Sequence, residues 1–304
     1  MAISQAMLNK RLIPVVLAVL CLAPLSASAL VGGAGVADNS VTSPWAGVGS
    51  LSVGGGLFTG TLIAPGYVLT AAHVVAGAAA GSVSFQLNAG SSYTVAASDI
   101  YINPSYTGNT AGNVAGDPTN HNDLAIIRLS GAVGSNIPFY NLYSGNLQGA
   151  DLNFVSYAGS TTAKTTGENI ADVLYTNAAG TNKTYIFDFD GPNQSTNVMG
   201  GGTLGANREA SLVNGDSGSA AFVSVNGQWQ LAGINTFEAT FAGRSTTPGT
   251  YGTGGGGVVL AGYSPWINSV ITAPVPEPES ANLLLLGLAV LGGAVHRRKS
   301  ARVS

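Results

Sequence analysis

Asn214-Gly215-Asp216-Ser217-Gly218-Ser219 is the stretch on which the reading of this 304-residue chain turns. A nucleophilic serine needs a tight turn of small residues that exposes its hydroxyl and aims backbone amides at one point, and glycines permit that close approach. Asp, Ser and Gly are also the commonest turn formers, so the hexapeptide by itself reads equally well as a polar β-turn. Two stretches upstream decide between these readings.

The first is Thr61-Leu62-Ile63-Ala64-Pro65-Gly66-Tyr67-Val68-Leu69-Thr70-Ala71-Ala72-His73-Val74, a turn and an apolar strand that fixes an imidazole at its end. The second is Asn122-Asp123-Leu124-Ala125-Ile126-Ile127-Arg128-Leu129, which sets an acid at the mouth of a buried strand. A buried carboxylate needs a donor such as an imidazole N–H. His121 competes with His73 for that role, because only these two histidines lie between the terminal segments.

The surrounding sequence is strand-like throughout. Runs of Val, Ile, Leu, Phe and Tyr at 46–53, 56–63, 67–70, 83–87, 124–129, 152–157, 220–225 and 229–234 are bounded by Gly, Pro, Asn or Ser. A helical period is suggested only at 263–271. Residues 107–121 read as a polar loop, and the Gly-rich run at 252–257 reads as a flexible loop rather than a phosphate cradle. A break near 138–149 divides the body into two halves, 30–143 and 144–274, each with enough strands for a small barrel. Glycine at 43 positions and only 8% charged residues suit short strands joined by tight turns, and exclude collagen, coiled coil and charge-driven disorder.

Charge narrows the partners. Between Leu30 and Ala273 five basic residues face twelve acids, a net of about −7, which excludes a nucleic-acid-binding face. With two histidines and no cysteine in this body there is no transition-metal ligand cluster, and a surface Ca²⁺ site on carboxylates stays open.

In chain order the three motifs present His, Asp and Ser, separated by 50 and 94 residues, with the first two in one half and the third in the other. This arrangement resembles the chymotrypsin/trypsin-like serine protease family over residues 30 to about 271. Subtilisin-like enzymes run Asp, His, Ser and α/β-hydrolases run Ser, acid, His. The resemblance implies an all-β chain of two six-stranded antiparallel β-barrels with a short C-terminal helix, acting as a serine endopeptidase on proteins or peptides without a cofactor. It implies Ser217 as nucleophile, His73 as general base and then acid, Asp123 as the orienting carboxylate, and the Gly215 and Ser217 N–H groups as the oxyanion hole. Ser211 would form the base of the specificity pocket and Thr236-Phe237-Glu238 its wall. Because Ser211 is not acidic, a Lys/Arg preference is not expected; small or apolar side chains fit better, and Glu209 and Glu238 would disfavour acidic ones. Leu30-Val31-Gly32-Gly33 resembles the family's activated N-terminus, whose amino group would pair with Asp216. The family's disulfide beside the histidine would fall at Thr59 and Val74, and Ser219 replaces its usual glycine. The competing reading is a noncatalytic surface or matrix binding protein that keeps the fold.

The ends read as address labels. Lys10-Arg11, an apolar run from Leu12 to Leu25 and Ala27-Ser28-Ala29 have the three parts of a secretory signal, so signal peptidase is expected to cut after residue 29. At 275–304, Pro276-Glu277-Pro278 precedes an apolar run from Leu283 to Val295 and the basic His296-Arg297-Arg298-Lys299. This resembles the PEP-CTERM sorting tails of Gram-negative bacteria. It implies transient association with the inner membrane, removal by an exosortase-type enzyme, and a final place at the cell surface or outside. A permanent tail anchor is the alternative.

Overall fold

The computed structural model describes residues 29–273, apart from 34, 38, 90, 109–120, 132, 135, 206 and 207. Residues 1–28 of the expected signal segment, the Pro276-Glu277-Pro278 motif and the rest of the tail lie outside the described residues.

Two short strands, β1 (Val31–Gly32) and β2 (Gly35–Val36), open the described chain. A closed barrel follows, built from β3 (Val48–Val53), β4 (Gly56–Ala64), β5 (Tyr67–Thr70), β6 (Ser84–Ala89), β7 (Ser91–Ile102) and β8 (Ala125–Leu129) in the order β3-β4-β5-β8-β7-β6. Its strands alternate or run apolar as a buried face demands, and Val48, Leu51, Val68, Leu69, Leu87, Ile126 and Ile127 are wholly buried inside. Between β5 and β6 a single helical turn, α1 (Ala72–Val75), carries His73.

The second half contains β9 (Asp151–Ser156), β10 (Thr165–Ile170), β11 (Val173–Thr176), β12 (Asn182–Asp188), β13 (Ala210–Ser211), β14 (Ala220–Val225), β15 (Gln228–Ala239) and β16 (Gly254–Val259), followed by α2 (Ser264–Ile271). Its sheet runs β11-β12-β16-β15-β14-β9-β10-β2, while β1 pairs with β13. Asn226-Gly227 closes the β14–β15 hairpin with both residues at positive φ, the conformation that a two-residue turn between twisted strands requires. Across the seam between β10 and β12, Asn169 joins the flanks through its side chain, donating to the Asp188 carbonyl at 2.9 Å and the Ala210 carbonyl at 3.0 Å.

One expectation is corrected here. The glycine run at 252–257 is not a flexible loop: Gly254–Val259 is β16, fully buried and paired on both sides. A Cβ at Gly255 would strike the Phe187 ring, one at Gly256 the Phe237 ring, and one at Gly257 the Ile234 carbonyl. Glycine is there because rings and carbonyls of β12 and β15 lie directly on the strand's backbone. Strands β7, β10, β11 and β12 also stand where no strand was read; β10 in particular is Thr-Thr-Gly-Glu-Asn-Ile, polar in composition.

The halves are joined without disulfides. Trp45 of the first half stacks against Phe222 and Trp229 of the second at 5.0 and 4.8 Å, and Tyr140 meets Phe222 edge-on at 4.7 Å. Asn141 and Tyr143 exchange backbone hydrogen bonds with Leu231, so the connecting segment runs beside β15. α2 returns to the first barrel, where Ile267 packs into the same core cluster as Ile63 and Tyr140.

Three buried carboxylates of the second half serve as acceptors for backbone amides. Asp188 accepts from the Val198 and Met199 amides, Glu209 from those of Asp190 and Leu204, and Asp172 from that of Asp188. Burial, reinforced by Asp188 and Glu209, pushes Asp172 up to about 8. Its ordinary value is 3.8, so the folded chain holds that proton more tightly than the unfolded one, and stability falls as pH rises from about 4 to about 8. Asp172→Asn is expected to flatten this fall. Thermal melts at pH 5 and pH 8 check it: equal slopes in the two proteins would show that the proton on Asp172 contributes nothing.

Candidate active site

His73 stands on α1 directly after β5, with Ala72, Val74 and Val75 buried to anchor the turn. Asp123 lies wholly buried two residues before β8. Its Oδ1 accepts the His73 backbone N–H at 2.8 Å, and its Oδ2 is 2.6 Å from His73 Nδ1. A carboxylate only accepts, so Nδ1 carries the proton and Nε2 is left as the acceptor. Nε2 lies 2.8 Å from Ser217 Oγ, which therefore donates to it. The imidazole is one-fifth exposed, so the line from acid to hydroxyl starts in the core and ends at the surface.

The turn carrying Ser217 is held by its backbone on both sides. Asp216 N–H donates to the Val213 carbonyl at 3.0 Å and Ser219 N–H to the Asp216 carbonyl at 2.9 Å. Gly218 and Asn235 bind it to β15 through two further bonds of 2.9 Å, Gly218 N–H to the Asn235 carbonyl and Asn235 N–H to the Ser219 carbonyl. Gly218 has φ of +81° and abuts the Thr59 carbonyl and the Thr70 hydroxyl of the first barrel, where no Cβ fits. Ser219, in place of the glycine expected from the resemblance, is wholly buried and productive: its hydroxyl accepts from Asn235 Nδ2 at 2.9 Å, and Asn235 Oδ1 accepts from Tyr185 OH at 2.6 Å.

Thr59, matched to a cysteine of the family, is a hydrogen-bond junction between the halves. Its N–H donates to the Ser217 carbonyl at 3.3 Å, its carbonyl accepts from Thr70 Oγ1 at 2.8 Å, and its hydroxyl accepts from the Tyr157 N–H at 2.8 Å. Val74, the other matched position, is simply buried in the apolar core.

Beside Ser217 opens a cavity of about 270 Å³, lined by His73, the 212–217 segment, Asn235, Thr236, Phe237 and Glu238. The wall begins at Leu212. Ser211 is buried one residue behind it on β13, opposite Val31, and its hydroxyl and that of Thr236 have no hydrogen-bond partner among the described residues. Burial pushes the Glu238 carboxyl up. Glu209 is not on this wall; it is buried with its carboxylate on the Asp190 and Leu204 amides. Gly215 lines the cavity at φ of +100°. His121 is away from it, with Nδ1 2.6 Å from Thr184 Oγ1 of β12.

Asp216 closes the back of the site. Its Oδ2 accepts from Val213 N–H at 2.8 Å and from Leu30 N–H at 3.2 Å, and its Oδ1 from Ser156 Oγ at 2.5 Å. Burial, opposed by these bonds and aided by Glu238, pushes Asp216 up to about 6. Leu30 is buried and sits at φ of +47°.

The sequence matches the family described as Trypsin over residues 30–254. The chain belongs to the trypsin family. A second match, to the PEP-CTERM protein-sorting motif, covers residues 274–299. Among solved structures, this trypsin-family chain is similar to a Glu endopeptidase determined in complex with MPD, at 19% identity and a TM-score of 0.53, over 79% of this chain and 97% of that one. It is also similar to an inactivated protease paralogue of the scabies mite, SMIPP-S-D1, at 16% identity and a TM-score of 0.55, over 81% and 99%. No curated protein sequence matches it. Trypsin-family membership leaves the Tyr185–Asn235–Ser219 chain unannounced, since these residues are 16 and 50 positions apart and match no local motif. Ser219→Ala would leave buried Asn235 Nδ2 without its acceptor. The expected loss is about 1–3 kcal/mol, read from urea unfolding; an unchanged midpoint would show that the hydroxyl is idle.

Proposed function

We propose that this chain is an exported serine endopeptidase that cleaves peptide bonds through an acyl-enzyme on Ser217. The observation that carries this reading is the continuous line Asp123–His73–Ser217, with 2.6 and 2.8 Å links, opening beside a cavity. Ser217 Oγ attacks the carbonyl carbon while His73 Nε2 takes its proton, and the resulting oxyanion is held by the N–H groups of Gly215 and Ser217. His73 then gives the proton to the leaving amine, and water repeats the sequence on the ester. Asp123 holds the ring through Oδ2 and the His73 backbone N–H through Oδ1, and stabilises the imidazolium. The cavity lining is mixed, with Leu212, Val213 and Phe237 as its apolar part, and this fits an apolar or small side chain before the scissile bond; Glu238 at the wall disfavours an acidic one.

Removal of the signal would itself complete the site. While Ala29 is attached, Leu30 is an L residue held at positive φ, a conformation costing about 1–3 kcal/mol, and it offers Asp216 only a peptide N–H. A cut after Ala29 abolishes that torsion and turns the donor into an ammonium. An opposite charge at this distance favours ionised Asp216 and draws its carboxyl down from about 6.

The sorting motif at 274–299 supports export in a Gram-negative cell, an exosortase-type partner and passage through the inner membrane. No helix among the described residues is long and apolar enough to cross a membrane. A second reading, a noncatalytic binding module on this fold, draws on the likeness to an inactivated protease paralogue.

Exported protein with a sequenced N-terminus, treated with a fluorophosphonate probe, separates the readings. Labelling is expected on chains beginning at Leu30, with loss of signal in Ser217→Ala; a chain with that start that never labels belongs to the binding-module reading. One extra residue before Leu30 is expected to abolish labelling, and undiminished labelling of such a chain would refute activation by signal removal.

A further inference from the structure

We propose that Tyr263 is a positioning residue that ties the turn bearing Asp123 to the half of the molecule that carries Ser217; this rests on the hydrolase reading above. Asp123 belongs by sequence to the first barrel, yet the two residues before it are fastened to the second half. Tyr263 OH donates to the His121 carbonyl and is 3.3 Å from Asn122 Oδ1. His121 Nδ1 is 2.6 Å from the hydroxyl of wholly buried Thr184 on β12. The 121–123 segment therefore meets the second half at two points and His73 at two more.

Tyr263 is itself immobilised. It is 3% exposed, ends the 3₁₀ turn Leu260–Tyr263 that leads from β16 into α2, and lies with its ring 4.0 Å beneath the Lys183 ammonium. Lys183 in turn donates to the Gly262 carbonyl at 2.5 Å. Burial pushes the Tyr263 phenol far above its ordinary value, so it keeps its proton and remains a donor. The acid and the nucleophile stand on different sheets, and an imidazole spanning both works only while their separation is fixed. Tyr263 references the acid to the nucleophile's own sheet, leaving His73 as the bridge between two points of one body. Misplacement by about an ångström at such a site costs up to about 100-fold.

The test measures Ser217 labelling by a fluorophosphonate at varied probe concentration, which separates kinact from KI, together with the low-field proton NMR signal of His73 Nδ1–H. Tyr263→Phe removes one hydroxyl and keeps the ring under Lys183. It is expected to lower kinact about tenfold with KI unchanged and to shift or broaden the NMR signal. In an Asp123→Asn background it should cost nothing further, because the tie acts only through that carboxylate. Equal losses in both backgrounds with an unaltered signal would mean general structural damage and overturn the proposal, as would no loss at all. If Tyr263→Phe does not fold, Thr184→Val removes the second tie and is held to the same outcomes. A wild-type chain that gives the NMR signal yet never labels refutes the hydrolase reading; the tie is then decided by that signal in Tyr263→Phe.

Discussion

The approach of Gly218 to Thr59 and Thr70 is the constraint on which the rest depends. Acid and imidazole belong to one sheet and the hydroxyl to another, so the 2.8 Å link between His73 and Ser217 exists only because the seam between the sheets closes to backbone contact. Bare backbone at 218 permits that closure, the Thr59 N–H to Ser217 carbonyl bond pins it, and the Trp45–Phe222–Trp229 cluster supplies the apolar area that drives it. The usual covalent clamp beside the histidine is replaced by a threonine using its amide, carbonyl and hydroxyl together.

What was legible in the sequence is what is local. His73, Asp123 and Ser217 each end or precede a run whose composition reveals a strand or a turn, and their order separates this arrangement from its convergent counterparts. β3, β5 and β14 are readable because Val, Leu, Ile and Phe mark their buried faces. β16 escaped because the buried surface against it belongs to Phe187 and Phe237, and four glycines announce nothing of the rings above them. β10 escaped for the opposite reason: its polar residues are satisfied by neighbours, with Asn169 bonded across a seam that no local window contains.

Non-local polar bonds also explain why the site's support could not be read in advance. Ser219 is a departure from family habit in the sequence, and only the fold shows its hydroxyl continuing a line from Tyr185 through Asn235. The resemblance implies Ser211 at the pocket base; in the fold it is buried on β13, next in sequence to Leu212 of the cavity lining.

The pairing of β1 with β13 and of β2 with β10 has a consequence in time. These contacts, with Leu30 to Asp216 at a separation of 186 residues, bring together parts of the chain that are far apart along it. Closure entropy grows with the length of chain enclosed, and distant pairings are correspondingly slow to form. The six strands of the first barrel all lie within residues 48–129, whereas β1 and β2 pair only with strands of the second half. Long-range pairing of this kind is expected to form late in folding, so the surroundings of Ser217 are expected to be completed after the local strand pairs.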